Sequence, residues 1–401
     1  MATTFFLPKS AVADTPLPYT ASPWRLMWED IRLFLRNSWT IPGILLPLSP
    51  YNSGYLDELY PSWSNLGNLA FQAVLSLLQI FFLLSIPACV ICMFPAFWVC
   101  VYIGGVLWAN KALCDLVLNR EPSILMSRYP EVEAPEHSHE HWVFINGIAC
   151  GQTWLQKNID RLGYTFGRKI TGVHNPSTGL AFDVIQCLIQ RDLSYATQDV
   201  RDGYAHLRAT LLNPNYTTVV LIVHSQGGIE GGLIADWLLD EIPQDLLRKL
   251  EIYTFGNAAN HFNNPYRAQQ NTPRNASNAE GRQTQQTREK NNSAILHIEH
   301  YANSRDFVSR WGVLNFTNIP NRFMGQVFVR QGSGHMFNQH YLGTMFALGP
   351  DHRVLDSNPF MDTEIDASSS SVEGGSGPTG RVKVRDLSRL WQYRNGGSPV
   401  Q

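Results

Sequence analysis

The chain has 401 residues and balances 31 Lys and Arg against 33 Asp and Glu, a formal net charge of −2 that gathers no polyanion and argues against nucleic acid as a partner. Its apolar fraction of 44% is ordinary, but charged residues make up only 16% against about 25% in typical soluble proteins. The deficit is uneven, because no Asp, Glu, Lys or Arg occurs from Leu59 to Asn110.

Residues 1–68 read as an N-terminal segment. Met1–Ser10 lacks the charged-then-apolar pattern of a secretory signal and does not resemble a mitochondrial presequence. Pro23–Trp39 sets Trp24, Met27, Trp28, Ile31, Phe34 and Leu35 at helical spacing, with Arg25, Arg32 and Arg36 between them. Such a basic amphipathic helix suits either the headgroup layer of a membrane or a face of the protein itself.

Residues 69–110 read as a transmembrane hairpin. Leu69–Trp108 is almost continuously apolar, and one straight helix of that length would span about 60 Å, twice the hydrocarbon thickness of a bilayer. Pro87 and Pro95 favour breaks, so Ala70–Ile86 and Phe94–Trp108 are the expected arms. The competing reading is a buried helix pair of a soluble protein, although soluble core helices rarely run so far without a charge. Lys111, Arg120 and Arg128 follow the run, and no Lys or Arg stands in the stretch before it. The positive-inside rule therefore gives an integral membrane protein whose following domain faces the cytosol. In that compartment the six cysteines are reduced and the sequons at Asn215, Asn275, Asn291 and Asn315 unused.

Residues 111–138 form a linker. Across its end lies the run His137-Ser138-His139-Glu140-His141, whose residue types could ligate a metal, but it is a polar lead-in and no metal is expected.

From 139 to 348 strands and helices alternate. Trp142–Ile148, Lys169–His174, Thr217–Val223, Leu250–Phe255, Ala294–Tyr301 and Gly325–Arg330 read as strands. Trp154–Leu162, Leu180–Gln190, Ala196–Leu212, Gly227–Asp240 and Met336–Leu348 read as helices. Thr217–Val223 is rich in Val, Leu and Ile, as a strand buried on both faces of a parallel sheet would be. The expected fold is α/β, a doubly wound, mostly parallel sheet. Residues 263–292, rich in Gln, Asn and Thr, read as a flexible insertion. Residues 349–401, Ser/Gly-rich in their middle, read as a largely disordered tail in which Val384–Tyr393 suits a short docked helix.

The most specific chemical signal is Val223-His224-Ser225-Gln226-Gly227-Gly228, a buried strand running into a Ser and a glycine-rich helix start. This is the context of a nucleophile elbow, where a tight turn lifts the Ser above the sheet. Val223 departs from the G-x-S-x-G pattern, and no G-x-G supports dinucleotide binding. A Ser needs a base, and the base an orienting acid. In the order Ser, acid, His, the candidates are Asp306, just past a strand end, and His335 in the loop after the last strand, with His340 as the alternative base. The oxyanion donors expected are the backbone N–H of Gln226 and that of Gly147 or Ile148. His224 reads as a packing residue.

Val143-Phe144-Ile145-Asn146-Gly147, His224–Gly228, Tyr253-Thr254-Phe255-Gly256-Asn257-Ala258-Ala259 and Gly334-His335 together resemble the α/β-hydrolase superfamily. They are most similar to lipase-like serine hydrolases of filamentous fungi that carry an N-terminal membrane segment. The resemblance spans His139–Leu348 and implies Ser225, Asp306 and His335 as the triad, with no cofactor; it does not supply a substrate. The expectation is a membrane-anchored serine hydrolase acting on a carboxylic ester, with a lipid favoured because a tethered domain meets bilayer esters at high effective concentration. The contrasting expectation is a catalytically silent scaffold or lipid-binding protein of the same fold, for which Val223 is the support.

Overall fold

The computed structural model describes residues 4–6, 22–120, 123–265, 293–319, 322–365 and 382–399. The strands of the main sheet are β1 (Thr4–Phe6), β2 (Ile124–Met126), β3 (Glu140–Ile145), β4 (Ile170–Val173), β5 (Thr218–His224), β6 (Leu250–Phe255), β7 (His297–Asn303) and β8 (Gln326–Arg330). They form one eight-stranded sheet in the order β1-β8-β7-β6-β5-β3-β4-β2. From β4 to β8 neighbours pair in parallel, while β1 and β2 are antiparallel edges.

The α-helices up to Trp311 are α1 (Pro23–Asn37), α2 (Trp63–Ile91), α3 (Ala96–Val117), α4 (Gln152–Phe166), α5 (Leu180–Leu193), α6 (Gln198–Leu212), α7 (Gly227–Glu241), α8 (Gln244–Leu247) and α9 (Phe307–Trp311), with shorter helical pieces after them. The molecule is thus the doubly wound, mostly parallel α/β fold that the alternation of patterns implies. Alternate β5 side chains feed two cores: Val219, Leu221 and Val223 pack with α6 and α7, and Val220 and Ile222 with α4 and the aromatic residues Trp142 and Phe144.

The chain leaves β3 toward β4 on one side and leaves β5 toward β6 on the other, so the winding reverses between β3 and β5. Loops diverge at such a switch point and open a crevice beyond the carboxyl ends of the strands. Register aligns those ends: Ile145 lies opposite Val223, His224 opposite Phe255 and Asn303 opposite Arg330. Gly147, Ser225, Asp306 and His335 all follow strands that finish at this one edge.

Several expectations are corrected. Pro87 does not end the first apolar arm, since α2 continues to Ile91. A Pro removes only its own bond to the preceding turn, and the last turn is held by the Cys92 N–H donating to the Ala88 carbonyl at 2.9 Å. The reversal comes at Met93, whose φ is +56°, and Pro95 begins α3. Gln79 Nε2 donates to Asn110 Oδ1 at 2.9 Å, and Ser85 Oγ lies 2.9 Å from the Tyr102 hydroxyl, so the two helices form an antiparallel hairpin. Both are long and apolar enough to cross a membrane, and Leu77, Leu84, Ile91, Phe97 and Trp108 stand exposed on them. The linker is more than a connector, because α3 runs into it and β2 supplies a sheet edge.

The described parts of the tail, 349–365 and 382–399, are ordered and pack on the sheet. Phe360, Met361, Leu390, Trp391 and Tyr393 are buried in the core that contains Trp142. The tail also supplies partners for buried carboxylates, the Arg389 N–H donating to Glu299 at 2.6 Å and its guanidinium to Glu251 at 2.9 Å. The Val384–Tyr393 stretch forms two short helices, Val384–Leu387 and Arg389–Gln392, docked as its pattern suggests, whereas Phe360 and Met361 show no periodicity that would reveal their docking. Most of the 263–292 insertion, residues 266–292, lies outside the described residues, as do Asn275 and Asn291.

Candidate active site

Ser225 occupies the turn between β5 and α7 with φ +60°, a left-handed conformation that a residue other than Gly adopts only when its surroundings impose it. Its N–H donates to the Phe255 carbonyl at 3.0 Å, fixing the turn to β6. Val223 is accommodated from the opposite side. A Cβ added to Gly231, in the next turn of α7, would come 3.0 Å from Val223 Cγ1, so the glycine supplies the room that the motif's missing first Gly would otherwise leave.

The loop after β3 approaches Ser225 more closely than any side chain permits, since a Cβ on Gly147 would lie 2.5 Å from Ser225 Cβ. Among the described residues, the backbone N–H groups of Gly147, Ile148 and Gln226 donate no hydrogen bond. Gln226 precedes the first turn of α7, where the helix dipole favours negative charge.

A buried side-chain network joins the two arms. Asn146 Nδ2 donates to the Gly147 and Cys150 carbonyls, each at 3.3 Å. Asn146 Oδ1 accepts the Asn175 N–H at 2.9 Å. Asn175 Nδ2 donates to Gln226 Oε1 at 2.8 Å and to Glu230 Oε1 at 2.6 Å. Gln226 Nε2 donates onward to Gln190 Oε1 of α5 at 2.7 Å. Burial and the adjacent Asp199 push the Glu230 carboxyl well above its ordinary range. Asn175 thus ties the Gly147 loop to Gln226.

Asp306 is fully buried. It caps α9 by accepting the Val308 N–H at 2.9 Å on Oδ1. Its Oδ2 accepts from Ser309 Oγ at 2.8 Å, from the Tyr341 hydroxyl at 2.7 Å and from His335 Nδ1 at 2.9 Å. Burial raises its pKa, but His335 and these hydrogen bonds together outweigh that and leave it below the ordinary carboxylate value. The helix-capping role and the His contact coexist in one side chain.

The two candidate histidines differ in what their ring nitrogens do. His335 spends Nδ1 on Asp306, and among the described residues its Nε2 has no hydrogen bond. His340 spends both, Nε2 donating to the Pro47 carbonyl at 2.8 Å and Nδ1 accepting the Met336 N–H at 3.0 Å. Burial, with the charges of His335 and Arg330, lowers its pKa to about 4. His340 instead lines a pocket of about 200 Å³ with Pro47, Arg330 and Gln339, and Ser225 is not among that pocket's walls. The His335 ring lies 4.6 Å from the ring of His224, which precedes Ser225. His224 Nε2 donates to the His335 carbonyl at 2.8 Å, and burial foremost, then the charge of His335, lowers its pKa to about 3. His224 therefore packs, neutral, beneath His335.

The N-terminal segment holds the histidine loop in place, Gly43 and Ile44 carbonyls accepting the N–H groups of Gly334 at 2.8 Å and His335 at 3.1 Å. Ser225 and His335 are 3% and 5% exposed, so the site is nearly enclosed. Among the described residues, the Ser225 hydroxyl makes no hydrogen bond. Sequence reasoning missed Asn175, Ser309 and Tyr341, which no motif marks. Of the histidine-rich run, His137 is buried against Glu140, 3.6 Å away, and His141 faces His206 at 2.9 Å. Among the described residues, no group of three or more His, Cys, Asp or Glu is placed to hold a metal.

No family model matches the chain, and no curated protein sequence matches it. Among solved structures, that of the esterase Est22 is similar over 62% of this chain and 84% of that chain, at 11% identity and a TM-score of 0.27, too low a score to bear on fold or chemistry.

Proposed function

We propose that this chain is a membrane-anchored serine hydrolase that cleaves a carboxylic ester, of a lipid by preference, through an acyl-enzyme. The observation that carries the reading is the 2.9 Å contact of His335 Nδ1 with buried Asp306 at the sheet edge where Ser225 sits in a left-handed elbow. In the proposed reaction Ser225 Oγ adds to the ester carbonyl while His335 Nε2 takes its proton, and Asp306 steadies the resulting imidazolium. The N–H groups of Gln226 and of Gly147 or Ile148 receive the oxyanion. Collapse expels the alcohol with the proton from His335; water, activated by the same His, then releases the acid and restores Ser225. No cofactor or metal takes part.

The hairpin supports the anchoring, its apolar side chains being exposed along most of both helices. The catalytic domain is proposed to face the cytosol, on the basic residues Lys111, Arg120 and Arg128. A catalytically silent scaffold has one observation in its favour, the absence of a hydrogen bond on the Ser225 hydroxyl. Triads in unliganded enzymes are often looser than in their complexes, so this does not displace the hydrolase reading. The test is hydrolysis of a short-chain nitrophenyl ester by the detergent-solubilised full chain. Activity should fall by at least about a thousandfold in Ser225→Ala, and equal rates in the variant and the parent would overturn the proposal.

A further inference from the structure

Three helices beside the site turn large apolar side chains outward while burying polar ones. In soluble proteins a surface helix buries its apolar stripe and turns its polar face to water. Helix α5 does the reverse: its buried residues are Asp183, Cys187, Gln190, Arg191 and Asp192, whereas Leu180, Ile185 and Leu193 are exposed. The buried residues of α1 are Asp30 and Asn37, with Leu33 and Phe34 partly buried against the core, and its exposed ones include Trp24, Trp28 and Leu35 beside Arg25 and Glu29. Helix α2 buries Asn65, Gln72 and Gln79 along with Leu75 and Phe82, and exposes Val74, Leu77 and Leu78.

The buried polar groups bind the three helices into one surface. Arg191 of α5 donates to Asp30 of α1 at 2.6 Å and stacks on Trp311, its guanidinium 3.9 Å from the ring centre. Gln79 of α2 donates to the Thr178 carbonyl at the start of α5 at 2.7 Å, and Phe82 meets Phe182 of α5. The outward apolar side chains of α1, α5 and α2 therefore adjoin one another and continue into the hairpin.

We propose that this α1–α5–α2 face is immersed in the headgroup and upper acyl region of a bilayer, and that the ester substrate reaches Ser225 from that leaflet, past α5. A face whose apolar groups point outward beside Trp and Arg, continuous with an apolar hairpin, suits the interfacial layer of a bilayer. Arg25, Arg32 and Arg36 of α1 stand ready for anionic headgroups. The hairpin's length requires the same approach. Phe82 is the last buried residue of α2, leaving Leu83–Ile91, about 14 Å of helix, to project beyond the domain. That is about half of a 30 Å hydrocarbon core, so the hairpin enters lipid only if the surface at its base, α5 and α1, comes down to the interface. The inner side of α5 in turn contacts the site, Gln190 holding the side chain of Gln226.

The surface is tested with the full chain in phosphatidylcholine–phosphatidylserine vesicles, carrying a genetically encoded environment-sensitive fluorophore at position 28, 185, 193 or 132. The first three should lose most of their emission to doxyl-labelled lipid and resist iodide. Position 132, normally the exposed Val132 ahead of β3 at the opposite sheet edge, should do the reverse. Iodide quenching at 185 and 193 equal to that at 132 would overturn the proposal. So would shielding from both quenchers, which would mean that a protein covers the face. The route rests on the serine-hydrolase reading and is tested by Ile185→Lys/Leu193→Lys, which alters only exposed positions. This variant should keep its rate on the water-soluble ester and lose about tenfold or more on an ester dispersed in the same vesicles, and equal loss on both overturns the route. If the parent chain cleaves neither ester, the hydrolase reading fails while the quenching data still decide the surface.

Discussion

At the scale of single residues, the site turns on which nitrogens are already spent. His340 donates through Nε2 to the Pro47 carbonyl, 293 positions away in sequence, and accepts on Nδ1, so it has no lone pair left for a serine proton. His335 uses one nitrogen only. His335→Ala should therefore lower kcat by about a thousandfold or more, whereas His340→Ala should change kcat less than tenfold and lower the melting temperature, because it frees the Met336 N–H and the Pro47 carbonyl. Comparable kcat losses in both variants would contradict the assignment. Asn175 makes a different prediction. It holds the Gly147 loop and Gln226 together without facing the reacting atoms, so Asn175→Ala should reduce kcat by about tenfold or more with KM little changed, a split that steady-state kinetics reads directly. Neither role is visible locally in the sequence: Gly334-His335 and His340 both follow the last strand, and what separates them is a distant carbonyl.

At the scale of elements, β5 and its Ser were legible because a β-branched run followed by small residues is a local signal with a single geometric solution. The bounds of β6, Leu250–Phe255, are those the sequence implies. The edge strands β1 and β2 escaped notice because each is three residues long, too short to carry a period. In the tail the docking of Val384–Tyr393 was legible, whereas that of Phe360 and Met361 was not, because these serve the aromatic core around Trp142 without a periodic face of their own. Trp391 is 2% exposed and packs against Phe346 with ring centres 5.5 Å apart. Trp391→Ala should destabilise the fold by about 3–5 kcal/mol, as other large-to-small core changes do. Denaturant unfolding measures this, and a loss within about 0.5 kcal/mol would mean that the tail is not part of the cooperative core.

At the scale of the whole molecule, the charge deficit of the sequence has a structural counterpart. The charge-free stretch Leu59–Asn110 supplies the exposed hairpin, and the helices at its base bury part of their charge, Asp30 against Arg191 and Asp183 against the Ser177 and Thr178 loop, while Arg25, Arg32 and Arg36 of α1 stay exposed. Sequence composition located the first part. The second needed the fold, since only packing shows which face of α1 or α5 is buried. The switch point between β3 and β5 then places Ser225 at the carboxyl edge of the sheet, with α5 between it and the outward apolar face. Ser225 is proposed as a nucleophile activated by His335 and Asp306. This proposal is tested most directly by treating the folded full chain with a fluorophosphonate and locating the adduct by mass spectrometry. The account predicts a phosphonylated Ser225, with labelling at least about a hundredfold slower in His335→Ala. Well-folded chain that remains unlabelled at Ser225, or that labels as fast without His335, would contradict it.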